Sequence, residues 1–365
     1  MSIKKEDIDL LGRLSESFGP SGFERETARI VKNAGSAYSD SISFDRLGSV
    51  IFTKTGGDSA PKILLAGHMD EVGFVVTGID ENTGFLTFGP VGGWFDQVLL
   101  GHRVKIRTRK SDVTGVVASK PPHLLPPEER EKVVKLTSMY VDIGATSAKE
   151  AEMDFGVRIG DPIAPEAGFV NVGKNGMVIG KAFDDRIGTF VGLQVMKRLA
   201  LGRIRHPNTV YFAATVQEEV GLRGAQTVSH VVAPDVAFAL EVDIAGDVPG
   251  IKPSEAPSRL GKGPSILTYD ASMIPNQELK SFVIDIAEQE GIPYQLSTVS
   301  RGGTDAGKFH LSGSGCPSIV VGVPTRHIHS HSAIANLNDI DSAIRLMISV
   351  IRKLDDKKVR SFTQV

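Results

Sequence analysis

The sequence predicts an α/β protein: a mostly parallel sheet flanked by helices, with a small β-barrel domain inserted into it. Three observations carry this. Short apolar runs alternate with helix-period stretches before residue 71 and again after residue 180. Between about residues 72 and 172 that rhythm gives way to short β-rich segments punctuated by Gly, Pro and Asp. The run Ile63-Leu64-Leu65-Ala66-Gly67 is apolar without interruption, as a strand covered by helices on both faces must be. The chain therefore divides into residues 1–71 and 173–365, two parts of one principal domain, and residues 72–172, an inserted domain.

Each element follows from local signals. Ile8, Leu11, Leu14 and Phe18 recur at helical spacing over residues 6–18, and Gly19-Pro20-Ser21-Gly22 breaks that helix. A second helix is expected over 24–34, then strands at 42–44, 50–53 and 63–67, the last running into His68-Met69-Asp70-Glu71. Inside the insertion only about ten residues after Ser147 read as helix, and the proline-rich stretch 121–127 reads as a loop. Beyond Gly180 a helix over 185–201 places Ile187, Phe190, Val191, Gln194, Val195 and Leu199 at helical spacing. Strands at 209–215 and 236–241 follow, with a short helix between them. A polar stretch at 246–263 precedes a helix over 277–290, whose Leu279, Phe282, Val283 and Ile286 share a face. Strands at 294–298 and 318–323 and an amphipathic helix over 339–354 complete the principal domain.

Composition excludes several classes of partner. Formal net charge is −2, with both signs spread along the chain, so neither nucleic acid nor a membrane surface is expected as a ligand. The single cysteine, Cys316, forbids an internal disulfide and suits a reducing compartment. The first fourteen residues are amphipathic and charged where a signal peptide would be apolar, and no run approaches the ~18 apolar residues of a membrane span. A cytoplasmic location is expected.

The chemistry concentrates at predicted strand ends and helix starts. His68, Glu219, Glu241 and His329 each lie at or after a strand, and Asp184 opens a helix. In a parallel sheet such positions share one edge, where ligands bind. Two imidazoles and three carboxylates, one of them bridging, suit two divalent cations, Zn²⁺ or Co²⁺, ~3.5–4 Å apart. A plainer account of Asp184-Asp185 is an N-cap followed by a first-turn acid. Asp70, two residues after His68, is placed to accept the second imidazole N–H. Glu218 and Glu219 follow the apolar run 210–214, and like charges beside a core point to function: Glu218 as general base, Glu219 as ligand. Spacing alone leaves Glu241 competing with Asp243 and Asp247, and His329 with His327 and His331. His102, His123, His206, His230 and His310 read as structural.

The motifs HMDEVGF (68–74), KAFDDRIG (181–188), QEEVGLRGA (217–225), GGTDA (302–306) and PTRHIHS (324–330) together resemble the M42 family of metalloaminopeptidases, the glutamyl and tetrahedral aminopeptidases. The resemblance runs from SFGPSGFE, near the N-terminus, to the last helix. It implies a zinc-peptidase-like catalytic domain made of residues 1–71 and 173–365, in which His68 ligates one ion, His329 the other, and Asp184 bridges both. Glu219 and Glu241 would each complete a coordination sphere; the family commonly has aspartate where Glu241 stands. Glu218 matches the catalytic glutamate, and the peptide bond between the two aspartates is often cis in related enzymes. The implied reaction removes N-terminal residues from short peptides. The inserted domain, 72–172, would mediate dimerisation, with dimers building a hollow twelve-subunit tetrahedron. Substrate side-chain preference would depend on walls from 250–263 and 300–303, including Arg301. Two other readings compete: a metal-independent, endoglucanase-like glycoside hydrolase, whose two carboxylates would flank a sugar, and a non-catalytic peptide-binding or assembly protein.

Overall fold

Four largely apolar strands, Thr209–Thr215, Lys62–His68, Val236–Ile244 and Ser318–Arg326, pair in that order, all parallel, at the centre of an 11-stranded mixed sheet in the computed structural model of the chain. The structure describes residues 3–57 and 61–364; the first two residues of the charged N-terminal stretch, residues 58–60 and residue 365 lie outside them. Along Lys62–His68 the side chains alternate between two cores. Ile63 and Leu65 face one, Leu64 and Ala66 the other, as the period-2 geometry of a strand requires. Helices Lys5–Glu16, Arg25–Gly35, Phe183–Leu201 and Leu337–Lys353 contribute to the first core, and Arg223–Val232 and Ala306–Phe309 to the second. The α/β class expected from the sequence is thus the class observed.

Parallel pairing is narrower than expected. It holds for the four central strands and for Ser265–Tyr269 with Gln295–Thr298, whereas the other pairs in this sheet are antiparallel. Where strands consecutive in the chain pair antiparallel, a short hairpin turn suffices, whereas parallel neighbours need a crossover. Ser41–Phe44 and Val50–Thr55 form such a hairpin, its turn held by Asp45, whose Oδ1 accepts the N–H groups of Leu47, Gly48 and Ser49. Met177–Gly180, Ser265–Tyr269 and Ala333–Asn336 are strands that the sequence did not reveal. At 4, 5 and 4 residues they are too short to display a period.

Strands Gly73–Ile79, Leu86–Val91, Tyr140–Asp142, Asp112–Ala118, Arg103–Arg107 and Pro162–Pro165 close, in that spatial order, into an antiparallel barrel with its own core around Phe74, Leu86, Ile106, Val141 and Ile163. In Asp112–Ala118 exposed and buried residues alternate, one face to that core and one to solvent. The proline-rich stretch read as a loop contains a 3-10 turn, Pro122–Leu124, and leads into a short helix, Pro127–Arg130, whose first-turn proline suits a helix start.

Helix Phe183–Leu201 is buried nearly all round, because it runs under the sheet and beneath neighbouring helices. Two glycines let its first turn reach the strand ends. A Cβ at Gly67 would lie 2.5 Å from the Gly188 carbonyl carbon, and one at Gly188 would lie 2.0 Å from the Leu240 oxygen. Neither position has room for a side chain. Further along, a Cβ at Gly192 would lie 2.0 Å from the buried Phe212 ring. Gly192→Ala should therefore destabilise the chain by roughly 1–3 kcal/mol through overpacking, despite regaining up to about 1 kcal/mol of helix propensity. Denaturant titration gives the answer, and an unchanged or raised midpoint would contradict this packing.

Candidate metal centre

The four central strands deliver their carboxyl ends to one rim, and the candidate residues meet there. His68 ends its strand, Glu218 and Glu219 follow Thr209–Thr215, Glu241 lies in Val236–Ile244, and His329 follows Ser318–Arg326. Asp184 comes from the first turn of Phe183–Leu201, where residues 184 and 185 have non-helical backbone angles and the bond between them is cis. Its two oxygens face different imidazoles. Oδ1 lies 3.1 Å from His68 Nε2 and Oδ2 lies 3.2 Å from His329 Nε2. Around His68 Nε2, Glu218 Oε2 stands at 3.8 Å and Glu241 Oε2 at 3.9 Å; Glu219 Oε1 is 3.6 Å from His329 Nε2. All the candidate ligands and the candidate base are thus within one cluster.

The plainer reading of the aspartate pair holds for its second member. Asp185 Oδ1 accepts the Gly188 N–H at 2.8 Å and Oδ2 accepts the His68 N–H at 3.1 Å, so this acid caps the helix and ties it to the strand. Asp184 is left to face the histidines.

Both imidazoles are oriented from behind. His329 Nδ1 donates to the Gly93 carbonyl at 2.7 Å, and His68 Nδ1 lies 3.1 Å from the Asp70 carbonyl oxygen. Each Nε2 is thereby turned to the cluster. The Asp70 carboxylate, expected to orient His68, is slightly farther from the ring, at 3.5 Å. It is engaged elsewhere: Oδ1 accepts the Glu218 N–H at 3.0 Å, and Oδ2 accepts the Glu219 N–H at 3.1 Å and the Ser21 hydroxyl at 2.6 Å.

The competing residues separate cleanly. Asp243 accepts a hydrogen bond from Ser258 and Asp247 pairs with Arg326, so only Glu241 of the three acids faces His68. His327 is exposed, and His331 is buried with its ring stacked 4.0 Å from that of His102. Two further residues went unassigned in the sequence. Gly93, on the barrel side, carries no recognisable signal. Asp305 lies in the GGTDA motif; it is fully buried, accepts the Thr215 hydroxyl at 2.6 Å, and its N–H donates to Glu241 Oε1 at 3.4 Å.

Beside the cluster opens a cavity of about 580 Å³, lined partly by Leu222, Leu267 and Val299. Of the two loops expected to wall it, Arg301, Gly302 and Gly303 do so, whereas 250–263 does not. That second loop is anchored by other contacts, the Gly261 and Gly263 N–H groups donating to Asp339 and the Ser258 hydroxyl to Asp243.

The electrostatics are those of an anionic site short of cations. Burial, and then the charge of Asp184, push Glu219 up to about 8. Burial likewise holds Glu218 and Glu241 well above the usual carboxylate range. Burial alone would depress His329, but the Asp184 hydrogen bond and the Glu219 charge raise it to about 10. Glu219 Oε1 is buried with no hydrogen-bond donor. Nitrogen and oxygen donors in this arrangement, one of them orphaned, fit divalent cations. Ligating atoms of His68, Asp184 and Glu219 lie within 4.8 Å of one another, as do those of His68, Asp185 and Glu241.

Residues 48–346 match the M42 glutamyl aminopeptidase family. The chain belongs to the M42 peptidase family. A solved TET aminopeptidase from a marine-sediment Thaumarchaeota archaeon is 56% identical and superposes with a TM-score of 0.96, covering 98% of this chain and 99% of its own. The M42 relationship extends to the glutamyl aminopeptidase of Lactococcus lactis, 34% identical over 97% of this chain and 98% of that protein. It also extends to the TET1 peptidase of Pyrococcus horikoshii, described as assembling into a tetrahedron or an octahedral shell, at 30% identity, TM-score 0.83 and coverage of 95% and 100%. M42 membership makes the chain a peptidase, a hydrolase of peptide bonds. Among the described residues no helix is long and apolar enough to cross a membrane.

Asp70→Ala would strand the Glu218 and Glu219 N–H groups and loosen the residues they carry. Affinity for Zn²⁺, measured by competition with a chelator, should fall roughly 10–100-fold, the usual effect of removing an outer hydrogen-bond partner of a metal site. Unchanged affinity would show that these bonds do not hold the cluster.

Proposed function

We propose that the chain is a metal-dependent aminopeptidase that removes N-terminal residues from short peptides. The observation that carries this is the division of the Asp184 carboxylate between His68 and His329. A carboxylate shared in this way is what a pair of ions would require. His68, Asp184 and Glu241 would hold one divalent ion, and His329, Asp184 and Glu219 the other, with Zn²⁺ and Co²⁺ both suited to such donors. Ions bound there supply Lewis acidity toward the scissile carbonyl and lower the pKa of water.

The chain's own residues would do the rest. Glu218 would accept a proton from the attacking water at a carboxylate oxygen and return it to the departing amine nitrogen, serving first as base and then as acid. Its N–H is held by Asp70, which leaves the side chain free to reach the cluster. The carboxylates at one end of the cavity would attract the free α-amine of a peptide, which favours cleavage at a chain terminus. Residues 72–172 would serve dimerisation, with dimers building a twelve-subunit tetrahedron in the cytoplasm, by analogy with the tetrahedral assembly of the Pyrococcus relative.

Glu218→Gln should retain bound metal yet lower kcat at least ~10²-fold on aminoacyl chromogenic substrates, as loss of a general base does; near-normal turnover would refute the role. Exhaustive chelation should abolish peptide hydrolysis, and added Zn²⁺ or Co²⁺ should restore it. Peptide hydrolysis that survives chelation would refute the metal dependence.

A further inference from the structure

Glu24 does not line the cavity, and the chemistry above makes no use of it. It is nevertheless 6% exposed, and its Oε1 accepts two backbone bonds, from the Gly22 N–H at 2.7 Å and from the Gln217 N–H at 3.0 Å. Gln217 directly precedes the candidate base, and its φ of 55° lies in the left-handed region, unfavourable for a non-glycine residue. A side chain that prefers the right-handed region stays there only if the surroundings hold it.

What holds it is visible in three consecutive N–H groups. Those of Gln217, Glu218 and Glu219 donate to Glu24 Oε1, Asp70 Oδ1 and Asp70 Oδ2. Successive N–H groups turned to one side form a concavity suited to anions. Here the chain fills the concavity with its own carboxylates. Both come under the control of one N-terminal segment, because Ser21 donates its hydroxyl to Asp70 and Gly22 its N–H to Glu24.

We propose that Glu24 is a positioning residue for the metal centre: by accepting the Gln217 N–H it fixes the backbone of the Gln217-Glu218-Glu219 turn and so aims the Glu218 and Glu219 side chains at the cluster. Its kinetic consequence rests on the aminopeptidase reading; its effects on the backbone and on cation binding do not. Without the bond, Gln217 is free to leave the left-handed region. Both glutamates then move, and displacements of even about 1 Å at a reacting group cost up to ~10²-fold in rate.

The test uses the full chain carrying Glu24→Ala or Glu24→Gln, with three measurements. These are amide hydrogen exchange of the segment containing Gln217, affinity for Zn²⁺ alone, and kcat and KM separately. In Glu24→Ala the segment should exchange faster, Zn²⁺ affinity should fall roughly 10–100-fold, and kcat should fall at least ~10-fold with KM little changed. Glu24→Gln should behave much as the parent, because both bonds run to one oxygen and an amide oxygen offers two lone pairs to accept them. Parent-like exchange and Zn²⁺ affinity in Glu24→Ala would overturn the proposal, as would equal damage in Glu24→Gln. If Glu24→Ala does not fold, Glu24→Asp, shorter by one methylene, is expected to show the same three losses, and parent-like behaviour there would overturn the proposal. A parent protein inactive on peptides would count against the aminopeptidase reading alone, and exchange and Zn²⁺ affinity would still decide the role of Glu24.

Discussion

Asp70 has no exposed surface, and each of its contacts ties in a different part of the chain. Its carbonyl backs the His68 ring, its carboxylate holds two N–H groups of the turn after Thr209–Thr215, and Ser21 reaches it from the N-terminal segment. A buried carboxylate is tolerable only when hydrogen bonds replace the water it has lost. That requirement draws three remote segments to one point. Burial alone would raise the acid, but His68 beside it, and then the Ser21 hydroxyl and the Glu218 N–H, hold it below its usual range. It can therefore serve as a fixed anion, around which the more weakly satisfied acids of the cluster are arranged.

The contrast between those two kinds of acid organises the site. Asp185 and Asp70 each accept two backbone N–H groups and act as struts, although burial raises Asp185 well above the usual carboxylate range and only Asp70 is held low. Glu218, Glu219 and Glu241 have few donors, and burial raises all three. Close by, Glu71 is paired with Lys181 at 2.6 Å and lies 3.7 Å from Arg186, so its charge is matched within the protein. Arg186, fully buried, also donates to the Leu14 carbonyl at 2.6 Å and so pins the end of the first helix. The KAFDDRIG motif thus combines two cations that brace the N-terminal segment with one acid that caps a helix and one that faces the histidines. Charges left unmatched in a protein interior mark a place where something else supplies the balance.

Much of the site was legible before folding, because its residue types are unusual where they stand. A histidine closing an apolar strand, a paired glutamate after another and a paired aspartate opening a buried helix each break the pattern around them. Long elements were legible for the complementary reason: thirteen or more residues of helix, as in Gln277–Gln289 and Leu337–Lys353, show several turns of period. Strands of four or five residues show little period, and Met177–Gly180, Ser265–Tyr269 and Ala333–Asn336 were accordingly hidden.

By itself, then, the sequence determined a set of candidate residues and their places at strand ends and one helix start, since residue type and period are local properties. Only the tertiary structure decided among near neighbours. Glu241 faces His68 while Asp243 is taken by Ser258, and His329 reaches the cluster while His331 stacks on His102. It alone also revealed that the Gly93 carbonyl backs His329 and that Glu24 and Asp70 accept the N–H groups of the Gln217-Glu218-Glu219 turn. The reason is physical: such choices depend on which donors and acceptors arrive from remote segments, and nothing in a residue's own neighbours along the chain records that arrival.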